Sequence, residues 1–511
     1  MICKLRKAMV MMLSPLVQTI SPTTYSRPRK RPRHVVEKVH TKSMEEFAAE
    51  VRMLFNASID PESLLRLSDE LQKEYKDRLK SSNISMLPSY QHTLPTGRER
   101  GDVLALDVGG STFRIALIRL GGKRHDGDGL QVRRMRSFII DKAVRDLRGQ
   151  AFFDWMAEKI GNMLAEYNAI NGTTNARLPM GLSWSFPIEQ TSTRSGKLLK
   201  MGKGFCATHG VENEDLSELI MRSCRAKGLN VEMRAIVNDG AATLLSQAYR
   251  DPSTRMSLIL GTGMNSAVYL PTSALSQEKF GDRPDSWYDA AKHVLVNTEL
   301  SMFGKDVLPT TKWDLDLNEK HPLPDFQPLE YHITGRYLGE IVRLILVDAI
   351  STAGLFDGIV PEHLNEAYSF DTKILAVFES DMSTTLASAR TAFLAAHPLP
   401  SPPRVQELEF IRDAGRLVSR RAAALLAGAL HALWSLRTVS EGLEPGKASH
   451  VTIACNGTIV EKYPYFRSCC QQYLDELCVL SGASEGAVTL EMAPESSIFG
   501  AAVAVSCIED V

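Results

Sequence analysis

The 511-residue chain has no phosphate loop of the form G-x-x-x-x-G-K-[ST], no G-x-G-x-x-G behind its first apolar strand, and no H-E-x-x-H. These absences exclude P-loop, dinucleotide-fold and zincin chemistry, each of which needs its own spacing of glycines or ligands. Cysteine is scarce: there are eight, including the neighbours Cys469 and Cys470, and none fall into C-x-x-C sets with metal-ligand spacing. A chain of this length needs no disulfide framework, so they read as free thiols in a reducing compartment. An excess of one charge is also lacking. A formal net charge of −1 supplies no field to draw in nucleic acid, and no direct nucleic-acid binding is expected.

Acids are missing from the N-terminal end. The first is Glu37, and Lys4, Arg6, Lys7, Arg27, Arg29, Lys30, Arg31 and Arg33 precede it. Residues 1–36 read as a flexible basic tail separate from the fold. Its apolar stretch, Ala8–Ile20, contains Pro15 and falls short of the roughly 20 residues that a membrane-spanning helix needs. No transmembrane segment is expected. The composition of the tail fits mitochondrial targeting, nuclear import or a plain solvated arm. The expected location is cytoplasmic, with mitochondrial association or nuclear entry through the tail, and an organelle or a transcriptional regulatory protein as partner.

What is present is an ordinary globular body, too long for one core, so two lobes are expected. Apolar spacings of three and four predict helices over Met44–Leu54 and Asp60–Lys80, the second capped by Asp60 with Pro61 in its first turn. From Val103 to Leu120 an apolar strand, a glycine pair and a second apolar strand form a hairpin that carries Asp107 and Arg114. Further strands are predicted at Leu178–Ser185, Val231–Val237, Met256–Leu260, Val451–Cys455 and Ala487–Glu491. Between them lie long helices, Arg336–Thr352 and Asp413–Thr438 among them, and the proline-rich His397–Pro403 must be a loop. The pattern is α/β.

Three glycine-bearing turns follow apolar strands: Gly109-Gly110-Ser111-Thr112, Gly261-Thr262-Gly263 and Asn456-Gly457-Thr458. Glycine lets a backbone approach a ligand and aim N–H groups at anionic oxygens, although each turn taken singly is an ordinary hairpin turn. Asp107 stands apart. An acid inside an apolar strand is costly unless paired or metal-linked, which favours function on the residue alone.

Seven motifs occur in a distinctive order. They are Leu104-Ala-Leu-Asp107-Val-Gly-Gly110; Ser185-Phe-Pro187 with Gln190 and Lys203-Gly-Phe205; Asn238-Asp239; Gly261-Thr-Gly-x-Asn265; Asn297-x-Glu299; Glu330; and Gly335-x-Tyr-Leu-Gly-Glu340. From about Ser43 to the C-terminus the chain resembles the hexokinase family, in particular its atypical, fungal-type members. The resemblance implies the two-lobed actin-like ATPase fold with a sugar and ATP cleft between the lobes. It implies a small lobe of residues 87–239 plus 490–511, a large lobe of 240–489, and an N-terminal helical segment, 37–86, packed on the large lobe.

The resemblance further implies ATP-dependent phosphorylation of a hexose, glucose first, at its 6-hydroxyl. Asp239 would be the general base and Lys203 its catalytic partner. Ser185, Asn238, Asn265, Glu299 and Glu330 would hold the sugar. ATP would rest on Asp107, Gly109, Gly110, Ser111, Thr112, Arg114, Thr262, Gly263, Gly457, Thr458 and Ser497, with Asp107 positioning Mg2+. A pocket of fixed carboxylates and amides suits a ring of hydroxyls, since unpaired polar groups disfavour analogues that lack one. In isolation each residue has a structural reading: Asp239 an Asx turn, Glu299 a helix cap, Lys203 a surface charge, Ser185 a satisfied strand hydroxyl.

The departures from the family pattern cluster on the nucleotide side. Thr112 replaces an amide, Gly202 replaces the threonine before Lys203 and Asn456 replaces an aspartate, while on the sugar side Leu300-Ser301 replaces a tryptophan-glycine pair. Glu495-Ser-Ser-Ile498 stands where an Asp-Gly-Ser-Gly pattern is usual. If those glycines need left-handed backbone angles, each replacement costs roughly 1–2 kcal/mol, and the new side chains crowd the adenosine site. Two functions follow: an active hexokinase, or a catalytically weak or inactive hexokinase-like sugar sensor. Retention of Asp239 favours the first, because a pure sensor needs no base.

Overall fold

The computed structural model describes residues 41–122, 129–171, 176–202 and 204–508. The basic tail and Lys203 lie outside the described residues. The first helix, Met44–Asn56, opens on a capping box of Ser43 and Glu46, and the second, Pro61–Ser81, opens where Asp60 Oδ1 accepts the Ser63 N–H at 2.9 Å. Their apolar faces, with Phe47, Val51, Phe55, Leu64, Leu71 and Tyr75, pack against the long helix Val405–Ser440. That helix begins eight residues before the expected Asp413, because the carboxylate of Glu407 accepts the Arg404 N–H at 2.7 Å and the Phe356 N–H at 3.0 Å and so anchors an earlier start. It is the one helix among the described residues long and apolar enough to cross a membrane, yet 89% of its apolar stretch is buried in the fold.

Two sheets carry the site. The five-stranded sheet has the order β4-β3-β2-β5-β8. Here β2 is Arg100–Val108, β3 Thr112–Gly121, β4 Leu130–Ile139, β5 Leu178–Trp184 and β8 Val231–Val237. The six-stranded sheet has the order β1-β11-β10-β9-β12-β13. Its strands are β1 Leu87–Pro88, β9 Thr254–Leu260, β10 Met264–Pro271, β11 His293–Asn297, β12 Val451–Asn456 and β13 Val488–Met492. A small ribbon of β6, Ile188–Gln190, and β7, Gly196–Leu198, lies beside them. The antiparallel β2–β3 hairpin is the expected one, and the predicted strands β5 and β8 extend it by pairing parallel with β2 and with each other.

Two boundaries fall elsewhere than expected. β1 pairs antiparallel with β11, Leu87 opposite Asn297, and Ser89 and Gln91 continue that ladder to Leu295 at 2.8 and 2.9 Å. The segment from Leu87 therefore edges the six-stranded sheet, and the chain enters the five-stranded sheet only at Arg100. At the other end β13 is a parallel neighbour of β12, so the return to the five-stranded sheet starts after Met492, with the helix Ser496–Ser506 packed on β2 and β5.

One buried ion pair ties the helical layer of the larger half together. Arg421, 1% exposed, donates from Nη1 and Nη2 to Asp314 Oδ2 and Oδ1 at 2.6 and 2.7 Å, while its guanidinium lies 4.4 Å from the Phe55 ring centroid. Burial works against the Asp314 charge, but the Arg421 guanidinium, the nearby His332 and the bond from Thr311 together outweigh it and hold the carboxyl well below its ordinary range. Arg421→Leu strands that carboxylate and is expected to cost about 3–5 kcal/mol, read as a lowered urea midpoint. Replacing both partners by apolar residues of similar volume is expected to recover most of the loss.

Candidate active site

The functional side chains sit at strand ends and on the turns that follow them. β8 ends at Val237, and Asn238 caps the helix Asp239–Ala248 by accepting the Ala241 N–H at 2.7 Å. The local Asx cap belongs to Asn238. Asp239 takes the first helical position, where its Oδ1 accepts the Gly240 N–H at 2.8 Å and its carboxylate stays partly exposed. Buried Ser257 pins the same helix from β9, donating to Gly240 O at 2.8 Å and accepting the Ala267 N–H at 3.1 Å.

Next to this helix the antiparallel pairing of β10 and β11 aligns two amides with a carboxylate. Asn265 Nδ2 donates to Asn297 Oδ1 at 2.9 Å, and Asn297 Nδ2 donates to Glu299 Oε1 at 2.9 Å. Asn297 was legible as part of the Asn-x-Glu motif, but its role as the bridge between Asn265 and Glu299 comes from strand register. Glu299 holds a left-handed backbone, φ 51° and ψ 50°, and such angles in a non-glycine residue concentrate at functional sites. Its carboxyl is pushed up to about 7 by burial; the bond from Asn297 works the other way, and the nearby Asp239 charge adds to the rise. Glu330 accepts the Met264 N–H at 3.1 Å, and a Cβ on Gly263 would lie 3.0 Å from Glu330 Oε2. Gly263, expected on the nucleotide, is thus set against the carboxylate of Glu330, by close approach. Leu300 and Ser301, in place of the tryptophan-glycine pair, are fully buried, with Ser301 Oγ accepting from Gln327 Nε2 at 3.1 Å.

On the other wall, Ser185 extends β5 beside β2, its N–H donating to Val108 O at 3.2 Å. Beyond it, Phe186 meets Phe205 with ring centroids 4.9 Å apart, which anchors the turn where Phe205 N–H returns to Gly202 O at 2.9 Å. Lys203 lies within this turn, outside the described residues. Gly202 has φ 69°, a conformation that a β-branched threonine avoids. The loss of that threonine and the shape of this turn go together.

Of the three glycine-bearing turns expected to hold the nucleotide, those of Gly261 and Gly457 meet, and that of Gly109 closes the β2–β3 hairpin. Asp107 and Arg114 face each other across the hairpin, and Arg114 Nε and Nη2 both donate to Asp107 Oδ2, at 2.9 and 2.7 Å. The hairpin turn closes through Gly109 N–H to Thr112 O at 3.0 Å, and Arg145 braces Gly110 O at 3.1 Å, leaving Ser111 exposed and Thr112 partly so. Gly261 O accepts the Gly335 N–H at 2.8 Å, and Thr262 O accepts the Arg336 N–H at 3.3 Å. Gly457, at φ 119°, passes so close to β9 that a Cβ would meet Leu260 O at 2.3 Å, and it delivers the exposed Thr458 to the same junction. Among the described residues no three His, Cys, Asp or Glu side chains gather as a metal site. The single carboxylate Asp107 has its Oδ1 free of hydrogen bonds among the described residues, and that suits a hydrated Mg2+ carried mainly by phosphates.

The C-terminal turn corrects the expectation of crowding. Ser496, Ser497 and Ile498 are helical, so no left-handed penalty falls on them; that conformation belongs to Glu495, φ 53°. Ser496 is buried and shares a 2.8 Å hydrogen bond with Thr243 on the Asp239 helix, and Ile498 fills the core between that helix and the five-stranded sheet. Both point away from the cleft, and only Ser497 is left partly open. Glu495 Oε2 accepts from Arg114 Nη1 at 2.5 Å, joining the hairpin to the C-terminal helix.

Two outcomes follow from this geometry. Reverting Ser496 and Ile498 to glycine is expected to lower the melting temperature through about 1 kcal/mol per helical glycine and the lost core side chain, with no rise in kcat/KM. Because native Glu299 holds its proton to higher pH than the unfolded chain does, the sugar-free protein is expected to lose stability as pH rises from about 5 to about 8. Glu299→Gln is expected to flatten that dependence in urea titrations run across the range.

Residues 51–249 and 255–507 match two family profiles, both described as hexokinase. A hexokinase of Schwanniomyces occidentalis is 30% identical over 416 residues, 80% of this chain and 82% of the relative. Hexokinase-1 of Saccharomyces cerevisiae is 29% identical over 460 residues, 88% and 90% of the two chains. The hexokinase of Schistosoma mansoni, solved with glucose, superposes with a TM-score of 0.72 at 26% identity, over 91% of this chain and 100% of that one. A second hexokinase crystal structure gives 0.74 at 28% identity, over 91% and 99%. Sequence and architecture agree over nearly the whole body, and the chain belongs to the hexokinase family, as a hexokinase-type phosphotransferase.

Proposed function

We propose that the chain transfers the γ-phosphoryl group of Mg-ATP to the 6-hydroxyl of glucose, with Asp239 as general base. The observation that carries this is the placement of Asp239 at the head of its helix, within the electrostatic reach of Glu299 at the end of the Asn265–Asn297–Glu299 relay. Carboxylates and amides held by one another in fixed orientation accept and donate to neighbouring ring hydroxyls. A hexokinase relative solved with glucose supports the choice of sugar.

In the transfer, a bond forms from the sugar O6 to the γ-phosphorus as the bond from that phosphorus to the β-bridging oxygen breaks. The O6 proton passes to the Asp239 carboxylate and from there to solvent, while ADP leaves with the electron pair. Magnesium, when bound, neutralises charge on the phosphates. Asp107, through its Oδ1, would hold the metal, while Arg114 and Lys203 would offset negative charge on the moving group and the hydroxyls of Thr112, Thr458 and Ser497 would line the nucleotide path. Glucose hydroxyls that donate to Glu299 favour its ionised form, so sugar affinity rises as pH passes upward through about 7.

A second reading, a sugar sensor with little turnover, is favoured by the Arg114–Glu495 contact, which engages Nη1 of a guanidinium already held by Asp107. The two readings separate in one pair of measurements. Asp239→Ala is expected to lower kcat about 10²–10⁴-fold while glucose binding, followed by calorimetry, stays within a few fold. Unchanged turnover in that variant removes Asp239 from the mechanism, and glucose binding without turnover in the unaltered protein establishes the sensor.

A further inference from the structure

The strand β4, Leu130–Ile139, is the free edge of the five-stranded sheet. Near its end it reads Arg133-Arg134-Met135-Arg136-Ser137, and Arg133, Met135, Arg136 and Ser137 are exposed. The ladder to β3 skips Arg133, which bulges between Val132 and Arg134. Arg134 and Arg136 both pair with Glu166 of the helix Gln150–Asn171, Arg136 Nη2 at 2.6 Å. Pairs this open to solvent exchange partners readily.

Arginines and a bulge on an edge strand ordinarily keep a second chain from adding to it. The position of Ser137 gives the run a further use. The register of β3 and β4 sets Ser137 opposite Arg114, and the register of β2 and β3 sets Arg114 opposite Asp107. Ser137, Arg114 and Asp107 thus form one row on one face of the sheet, with neighbouring Cβ atoms about 5 Å apart. Arg114 leans to the far side of that row: Nε and Nη2 donate to Asp107 Oδ2 at 2.9 and 2.7 Å, and Nη1 to Glu495 Oε2 at 2.5 Å. An anion carried by Ser137 would meet the same guanidinium from the near side.

We propose that Ser137 is a phosphorylation site for an arginine-directed protein kinase, and that its phosphate draws Arg114 away from Asp107. Kinases of this class select an acceptor by charge, taking an extended segment with arginine three residues before the hydroxyl. Arg134 holds that position, with Arg133 and Arg136 beside it, on a strand already extended and unpaired along one side. In the step, the Ser137 hydroxyl gives its proton to the base of the kinase and a bond forms from Oγ to the γ-phosphorus of ATP. The bond from that phosphorus to the β-bridging oxygen breaks, and ADP leaves with the electron pair. The product carries about two negative charges and several strong acceptor oxygens, which hold an arginine by charge-assisted hydrogen bonds. The consequence rests on the nucleotide reading of Asp107 and Arg114 given above. The guanidinium turns to the new phosphate and negative charge builds beside the nucleotide path, so Mg-ATP binds more weakly while the sugar side is untouched.

The test treats the full chain with the catalytic subunit of such a kinase and Mg-ATP and locates the phosphate by mass spectrometry. Modified and unmodified proteins, both saturated with glucose, are then compared for Mg-ADP affinity by calorimetry and for KM of Mg-ATP by kinetics. Phosphate is expected at Ser137, and not there when the kinase is omitted or in Ser137→Ala. The modified protein is expected to bind Mg-ADP more weakly and to show a KM for Mg-ATP raised about tenfold, with glucose affinity unchanged. The shift is expected to shrink as salt is raised, because the groups involved are open to solvent. Ser137→Asp is expected to move both values the same way by less, and Ser137→Ala to keep those of the unmodified protein. A folded protein that takes no phosphate at Ser137, whether or not a peptide of residues 130–139 takes it, overturns the site. Phosphate on Ser137 with unchanged Mg-ADP affinity overturns its action through Arg114. Locating the phosphate needs no nucleotide site, so the modification is judged apart from the function proposed above; an unmodified protein that binds no Mg-ADP overturns the nucleotide reading and the action through Arg114 with it.

Discussion

The helix Ser496–Ser506 lies so close to its neighbours that no side chain fits between them. A Cβ on Gly500 would sit 1.9 Å from Ala242 O, and one on Gly181 would sit 2.0 Å from Ala501 O. Through Gly500 the C-terminal helix is pressed on the helix that begins at Asp239, and through Gly181 it is pressed on β5 of the five-stranded sheet. The Asp239 helix in turn packs on β9, and buried Ser257 fastens it there. The placement of the proposed base relative to both sheets depends on this stack of small residues, and a methyl group at either glycine would push the walls of the site apart.

From that stack the two sides of the cleft are organised differently. The side proposed for the sugar is a chain of mutual restraint, in which Asn265 orients Asn297, Asn297 orients Glu299, and burial pushes the Glu299 carboxyl up to about 7. The side proposed for the nucleotide relies on close backbone approach: Gly261 lies against Gly457 and Thr458, and Gly335 against Gly261 O and the Ile459 side chain, while Asp107 and Arg114 pair across the β2–β3 hairpin. The departures from the family pattern are absorbed by this arrangement: Ser496 and Ile498 turn inward, and the left-handed residue is Glu495, tethered to Arg114.

The apolar strands and the first two helices were legible in the sequence because their burial leaves uninterrupted or periodic apolar runs, and Asp60 with Pro61 marks its helix start by local chemistry alone. β4 was not legible, since Arg133 and Arg136 on exposed positions, with half-buried Arg134 between them, break the alternation. β10 was hidden by Asn265 and Ser266, whose polarity is paid back by cross-strand bonds that only the folded register supplies. The site residues were recognisable through the order of their motifs. Their couplings were not: that Gly263 yields space to Glu330, or that Ser496 holds the Asp239 helix, depends on contacts between residues 67 and 253 positions apart. For the same reason the backbone of the C-terminal turn could not be inferred from the glycines it lacks.

The central claim is that this site, with its altered nucleotide side, still transfers phosphate to sugar. Phosphorus NMR of the purified protein with Mg-ATP and glucose addresses it without a coupling enzyme. The account predicts a new phosphate-ester signal at the sugar 6-position that grows as the ATP γ-signal falls, and no such signal when glucose is omitted. ATP that remains intact beside bound glucose, or decays only to inorganic phosphate, would contradict it.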